Sequence, residues 1–282
     1  MQAIIITAYK DLQQLKRLIA SFHDEAYIFI HLDAKSILQK DDLKDLGYKR
    51  IYVEKKYKIE WGSLNHLLSI LDLLKVVVER DDISYIHIVS GQDILVTSIK
   101  SFNAFFSENQ HIYMTCTNME DFSDAIRNRY QKGVLFPNVA SKNSIGKAIN
   151  RMYGIKKPWK KTIGEFSNLY KGMIWASMPI EVCKYVLSYV ESHKRFIKAL
   201  RHVIIPEEFF FQTIIMNSAY STDVVKKNLR YTDWTTRHGS RPAILDESDY
   251  DSIISSDNVF ARKIDSSISK SLIEMLTEKI QT

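Results

Sequence analysis

Cysteine is scarce: Cys116 and Cys183 are the only two in 282 residues, each inside an apolar run. That scarcity argues against a disulfide framework, and the absence of CxxC spacing excludes a cysteine-rich zinc site. Two buried thiols in a reducing compartment are the expected state. No run approaches the roughly 20 apolar residues that span a bilayer. The apolar stretch in the N-terminal MQAIIITAYKD is too short for a signal peptide and lacks a small-residue cleavage site. A cytoplasmic protein is therefore expected. Internal repeats and low-complexity linkers are also missing. What is present is ordinary globular material, with 45% hydrophobic, 26% charged and 11% aromatic residues.

The net charge of +6 is modest, but part of it is concentrated in KKPWKK, Lys156 to Lys161. Such a run suits a solvated loop, or contact with anionic lipid, phosphate or nucleic acid. No nucleic-acid-binding motif accompanies it, so no nucleic-acid partner is expected. Peripheral contact with the inner face of a membrane is the alternative use.

The first third alternates strand and helix patterns. Ala3–Ala8 is a continuous apolar run of strand length, suited to a parallel sheet buried on both faces. Leu12, Leu15, Leu18 and Ile19 recur at helical spacing. Tyr27–Leu32 and Arg50–Val53 read as strands, and Ser63–Val78 as a helix capped by Ser63. Tyr85–Val89 is a strand ending at Ser90-Gly91. Ser101 is placed as the cap of a helix reaching Ser107, and His111–Thr115 as a further strand. The pattern weakens over 121–170, a polar, basic excursion. It resumes with Tyr170–Ser177, a helix over Ile180–Glu191 and a new helix opening at Pro206. The expectation is an α/β fold with a mostly parallel central sheet flanked by helices, in a single domain spanning 1–282.

In open α/β sheets, ligands bind outside the carboxyl ends of the strands, which points to Tyr9, Asp33 and the Ser90–Asp93 segment. Asp33 in HLDAKS can accept hydrogen bonds from a ribose or uracil, or act as a turn residue. In SGQD, Gly91 permits close backbone approach and Asp93 follows it. PEEFFFQT places Pro206 at the first helical position, with Glu207 and Glu208 in the first turn, where the helix dipole favours ionised carboxylates. A general base must be ionised, so Glu208 fits that role, with Gln212 and Ile215 on the same face. An ordinary acidic helix start reads the same way.

GSRPAIL and FARKID bring Arg241, Arg262 and Lys263, which could together neutralise a diphosphate. A pair of carboxylates after a strand, the usual hold for a divalent ion, is missing. The one DxD, Asp249 and Asp251, falls in a polar helical stretch and reads as surface charge. No metal site is expected. His31 and His87 lie within strands and read as core histidines.

Taken in order, HLDAKS, IEWGSLNHL, IVSGQDILV, YKGMIWASMP, PEEFFFQT, LRYTDW, GSRPAIL and FARKID resemble the core-2/I-branching β-1,6-N-acetylglucosaminyltransferase and peptide O-xylosyltransferase family, glycosyltransferase family 14. The resemblance spans Ala3 to Asp265. It implies a GT-A-like nucleotide-sugar transferase fold and an inverting reaction without metal or other cofactor. The nucleotide-binding half would be 1–120 and the acceptor and catalytic half 171–282.

Glu208 falls on the family's base, Lys263 on its diphosphate-binding lysine, and Arg241 on the partner arginine, with one gap in spacing. Asp33 falls on the nucleoside-binding aspartate, Trp61 near an aromatic beside the uracil, and Trp234 on an aromatic near the acceptor sugar. Asp93 and Trp175 are placed with the sugars. Gly172 and Trp175 match the family's glycine-serine-aromatic motif, but Met173 replaces its small polar residue. The implied reaction moves a sugar, first of all N-acetylglucosamine, from a UDP-sugar to a hydroxyl of a glycan or lipid-linked saccharide, giving a β-linkage. Xylose or another hexose is the alternative donor sugar, and a basic nucleic-acid-binding module the alternative from another class. Animal members are anchored and disulfide-rich, so this chain looks like a bacterial cytosolic version.

Overall fold

The computed structural model describes residues 1–124, 126–127, 166 and 168–281. The KKPWKK run and most of the 121–170 excursion lie outside the described residues.

A seven-stranded sheet forms the centre, in the spatial order Val224–Val225, Ile112–Met114, Ala176–Pro179, Tyr85–Ser90, Gln2–Ala8, Ala26–Leu32 and Ile51–Glu54. Its first strands are β1 (Gln2–Ala8), β2 (Ala26–Leu32), β3 (Ile51–Glu54) and β4 (Tyr85–Ser90). These pair in parallel, with Ile5 opposite Phe29 on one side and Ile88 on the other. A second sheet contains β5 (Ile94–Leu95), and the main sheet continues with β6 (Ile112–Met114). A two-stranded ribbon joins β7 (Thr117–Asn118) to β8 (Tyr170–Lys171). Next comes β9 (Ala176–Pro179), which runs antiparallel to both β4 and β6, while β10 (Val224–Val225) is parallel to β6. The sheet is thus mostly parallel, as its apolar runs indicate, with one reversed strand. The second sheet is completed by β11 (Arg230–Thr232) and β12 (Phe260–Arg262), in the order β11-β12-β5.

Helices cover both faces because alternate residues of a strand point to opposite sides. Ala3 and Ile5 of β1 pack in one core with the apolar faces of α2 (Leu64–Val78), while Ile4 and Ile6 join a second core with α1 (Leu12–Ala20) and α3 (Ile99–Phe106). On the α2 side, α4 (Ile180–Ser192), α5 (Lys194–Leu200) and α6 (Phe210–Met216) complete the layer. Near the C-terminus, α7 (Tyr250–Ile254) and α8 (Lys270–Gln281) pack on a smaller cluster around Leu245, Ala261 and Ile264. Cys116 and Cys183 are free and buried. Among the described residues, no helix is long and apolar enough to cross a membrane.

Several local expectations are corrected. The cap of α3 is Ser98, whose hydroxyl accepts from the Ser101 amide, so the helix starts one turn early. Ser63 stands at the cap position of α2 but its side chain makes no capping bond. Pro206–Glu208 is a separate 3-10 turn, with α6 beginning only at Phe210. Asp249 is buried and ion-paired with Arg237, so it is a structural group rather than surface charge. His31 and His87 are core residues, with burial lowering the ring of each from 6.5 to about 4 and about 3.

Candidate active site

A cavity of about 430 Å³ opens at the carboxyl ends of β1, β2 and β4. Thr7 and Ala8 at the end of β1 line it with Tyr9 just beyond, Asp33 lines it after β2, and Ser90 at the end of β4 lines it with Gly91 and Gln92 beyond. Gly91 is required here by a close approach: a Cβ would sit 2.9 Å from that of Ala8. Asp33 is buried, and its Oδ1 accepts from the Lys35 amide at 2.9 Å and from the Ile59 amide at 3.3 Å. That ties the β2 exit to the segment leading to Trp61. Trp61 itself is 73% exposed and forms a rim.

The opposite wall comes from the second half of the chain. Trp175, Glu207, Glu208, Trp234, Arg241, Arg262 and Lys263 all line the same cavity. The structure therefore brings together Asp33, Trp61, Trp175, Glu208, Trp234, Arg241 and Lys263 from the sequence reading. Asp93 is the exception. It is fully buried beneath the cavity, 3.3 Å from Arg230 Nε and 3.5 Å from Arg262 Nε, and makes no contact with the space above. These are ion-pair separations without hydrogen-bond geometry. The backbone turn that places Gln92 on the wall turns Asp93 inward, where it holds the Ser90 amide.

The turn carrying Glu208 is under backbone strain. Ile205 adopts a left-handed conformation at φ 58°, unusual for a β-branched residue, and its amide donates to Gly62 O at 2.9 Å. Glu208 Oε2 is 2.6 Å from Lys171 Nζ, and its backbone carbonyl accepts from Gly172 N at 2.7 Å. Gln212 does not accompany Glu208 into the cavity, because its amide donates to Met173 O at 2.7 Å. Ile215 is buried in the core.

The cations are clustered. Lys263 Nζ donates to Ser240 Oγ at 3.0 Å, and Arg241 Nε donates to Trp234 O at 3.1 Å. Burial, with Arg262 and Lys10 nearby, lowers the Lys263 ammonium from its usual range. The Arg262 guanidinium lies 4.4 Å from the Trp175 ring and that of Arg230 lies 5.3 Å from it. Burial likewise lowers Arg230, to about 10, with Asp93 acting against it. Among the described residues, these two guanidiniums face one buried carboxylate, an excess of positive charge below the cavity that favours an anionic ligand.

Sequence reasoning passed over Lys10, His66 and Lys171. Lys10 follows β1 and was legible from the strand-exit rule. His66 and Lys171 had no local signal, since each acquires meaning only through a glutamate far along the chain. Among the described residues, no group of three or more His, Cys, Asp or Glu side chains converges as a metal site.

These features define an α/β protein with a cation-walled ligand site at its strand ends. The chain belongs to the Core-2/I-branching enzyme family, whose model matches residues 3–254. It is 23% identical to Xylosyltransferase sqv-6 of Caenorhabditis briggsae, over 95% of this chain and 36% of that protein. Human Xylosyltransferase 2 is 22% identical, over 97% of this chain and 33% of that protein. The chain thus spans about a third of the length of these curated relatives. Among solved structures, the galactosyltransferase LgtC in complex with donor and acceptor sugar analogs aligns with a TM-score of 0.41 at 9% identity, covering 100% of this chain and 95% of that one.

Proposed function

We propose that this protein is an inverting, metal-independent glycosyltransferase of GT-A-like fold that moves a sugar from a UDP-sugar to a hydroxyl of a glycan or lipid-linked saccharide. The observation that carries this reading is the placement of Glu208 in one cavity wall with Arg241 and Lys263, facing Asp33 at the exit of β2. A base, a cationic diphosphate cradle and a nucleoside-side carboxylate are the parts that a single displacement needs.

In the proposed reaction Glu208 takes the proton of the acceptor hydroxyl as that oxygen attacks C1 of an α-linked sugar. The bond from C1 to the β-phosphate oxygen breaks, and its electron pair leaves with UDP. Attack from the opposite face gives the β-linkage. Arg241 and Lys263, with Arg262 below, meet the charge that develops on the diphosphate, a task otherwise given to a divalent ion. Asp33 and Trp61 take the nucleoside, and Trp175 and Trp234 the sugars. N-acetylglucosamine is the leading donor sugar. Xylose is the second reading, favoured by the relatives named Xylosyltransferase.

The test is turnover of UDP-N-acetylglucosamine, UDP-xylose, UDP-glucose and UDP-galactose with saccharide acceptors, each with and without EDTA. The expected result is UDP release that survives EDTA and is lost in Glu208→Gln. Turnover that requires added Mn²⁺ would overturn the metal-free mechanism, and normal turnover by Glu208→Gln would overturn the base assignment.

A further inference from the structure

Beside Glu208 stands a second carboxylate that the reaction above does not use. Glu207 lines the same cavity, is only 7% exposed, and has one oxygen, Oε2, with no hydrogen-bond partner among the described residues. Its other oxygen is engaged. Glu207 Oε1 lies 3.3 Å from His66 Nδ1, and His66 Nε2 lies 3.2 Å from Thr7 Oγ1. A carboxylate oxygen accepts, so Nδ1 donates to it and Nε2 faces the Thr7 hydroxyl. His66 and Thr7 line the cavity too, and the edge of the His66 ring meets Trp175 at 6.2 Å between centroids. Trp175 adds a second polar atom without a hydrogen-bond partner among the described residues, its buried Nε1.

We propose that Glu207, held by His66 and Thr7, is the residue that recognises a hydroxyl of the transferred sugar and so sets donor specificity. The proposal rests on the glycosyltransferase reading and deepens it. A buried carboxylate oxygen without a partner is costly, and fixing its other oxygen through a histidine leaves it one geometry in which to be satisfied. A sugar hydroxyl supplies the missing donor, and an O–H to carboxylate bond is among the stronger neutral-to-charged hydrogen bonds. The location fits the transferred sugar rather than the acceptor. Glu207 is tied through His66 to Thr7, which lies on β1 opposite His31 of β2, two residues before Asp33 and the nucleoside side proposed above, while Glu208 next to it turns toward Lys171. Glu207 is then a positioning and specificity residue, with no part in proton transfer.

The experiment uses the UDP-sugar that the wild-type protein turns over best, together with analogues of it each lacking one sugar hydroxyl. Wild type, Glu207→Gln and His66→Asn are compared by kcat/KM, and their affinity for UDP alone is measured by calorimetry. One deoxy analogue is expected to lose about 10-fold or more with wild type. Glu207→Gln is expected to lose a similar factor on the parent donor but little further on that analogue, with UDP affinity unchanged. His66→Asn should show the same pattern in weaker form. A fall that is equal across every donor and analogue, or a parallel loss of UDP affinity, would show a merely structural role and overturn the proposal. If wild type binds UDP and turns over a donor yet no analogue is discriminated, only this inference fails. If wild type neither binds UDP nor turns over any donor, the functional reading fails and takes the inference with it.

Discussion

Lys171 Nζ lies 2.6 Å from Glu208 Oε2, so the proposed base is held by a cation before any substrate arrives. Lys171 is itself fixed: it pairs with Thr117 across the β7–β8 ribbon and lies 5.8 Å from the Phe122 ring. The contact leaves Oε1 as the oxygen for an acceptor hydroxyl. Glu208→Gln should lower kcat by about 10²–10⁴-fold, the usual scale for a lost general base. Lys171→Met leaves the carboxylate but frees its rotamer, and should cost about 10-fold in kcat with little change in donor KM. Lys171→Arg should recover part of that loss. Steady-state kinetics at saturating donor reads all three.

The same corner makes Gly172 sensitive to any side chain. A Cβ there would fall 1.7 Å from the Thr115 carbonyl oxygen, which neither residue can yield without moving the ribbon. Gly172 N also donates to the Glu208 carbonyl at 2.7 Å, so displacement is passed directly to the base. Gly172→Ala should destabilise the protein by about 1–3 kcal/mol, the usual cost of overpacking, and lower kcat beyond what the folded fraction explains. Urea denaturation and kinetics on the same preparation separate the two effects.

The strands and their order of burial were legible because parallel strands covered on both faces read as continuous apolar runs, as Ala3–Ala8 does. The reversal of β9 was not, since Ala176–Pro179 is too short to carry a directional signal. Strand-exit reasoning reached Asp33 and the Ser90–Gln92 wall but misread Asp93, because one residue beyond the turn the side chain faces the core. Helical spacing misjudged Gln212, since the 3-10 turn breaks the register between Glu208 and α6. Glu207, placed from the sequence only as one of two acids in a first helical turn, lines the cavity and contacts His66, which no local pattern announces.

Asp93 makes a sharp stability prediction. Among the described residues it is the one carboxylate between the buried guanidiniums of Arg230 and Arg262, and it also holds the Ser90 amide. Removing one partner of a buried ion pair leaves charge without compensation, at a cost of about 3–5 kcal/mol. Asp93→Ala should lose about that much in chemical denaturation. Replacing Asp33, whose partners are backbone amides at the cavity edge, should cost less stability and more UDP affinity.

The buried His31 predicts a pH dependence of known sign. Its Nε2 accepts the Tyr57 amide at 3.0 Å, which requires that nitrogen to be unprotonated. Burial lowers the ring from 6.5 to about 4, with Asp33 pulling it back part of the way. Between those values the unfolded chain binds a proton that the folded protein refuses, so stability is fully present above pH 6.5 and falls as acid is added, levelling near pH 4. The contribution is about 3 kcal/mol. His87, lowered to about 3 chiefly by burial, acts in the same direction. Carboxylates titrate over part of this range, so the informative quantity is a difference. His31→Gln cannot titrate and should be less stable than wild type at pH 7, with the gap narrowing by about 3 kcal/mol as the pH is brought to 4. Urea denaturation of both proteins at half-unit intervals measures it, and a gap that stays constant across the range would show that His31 takes up its proton equally well in the folded state.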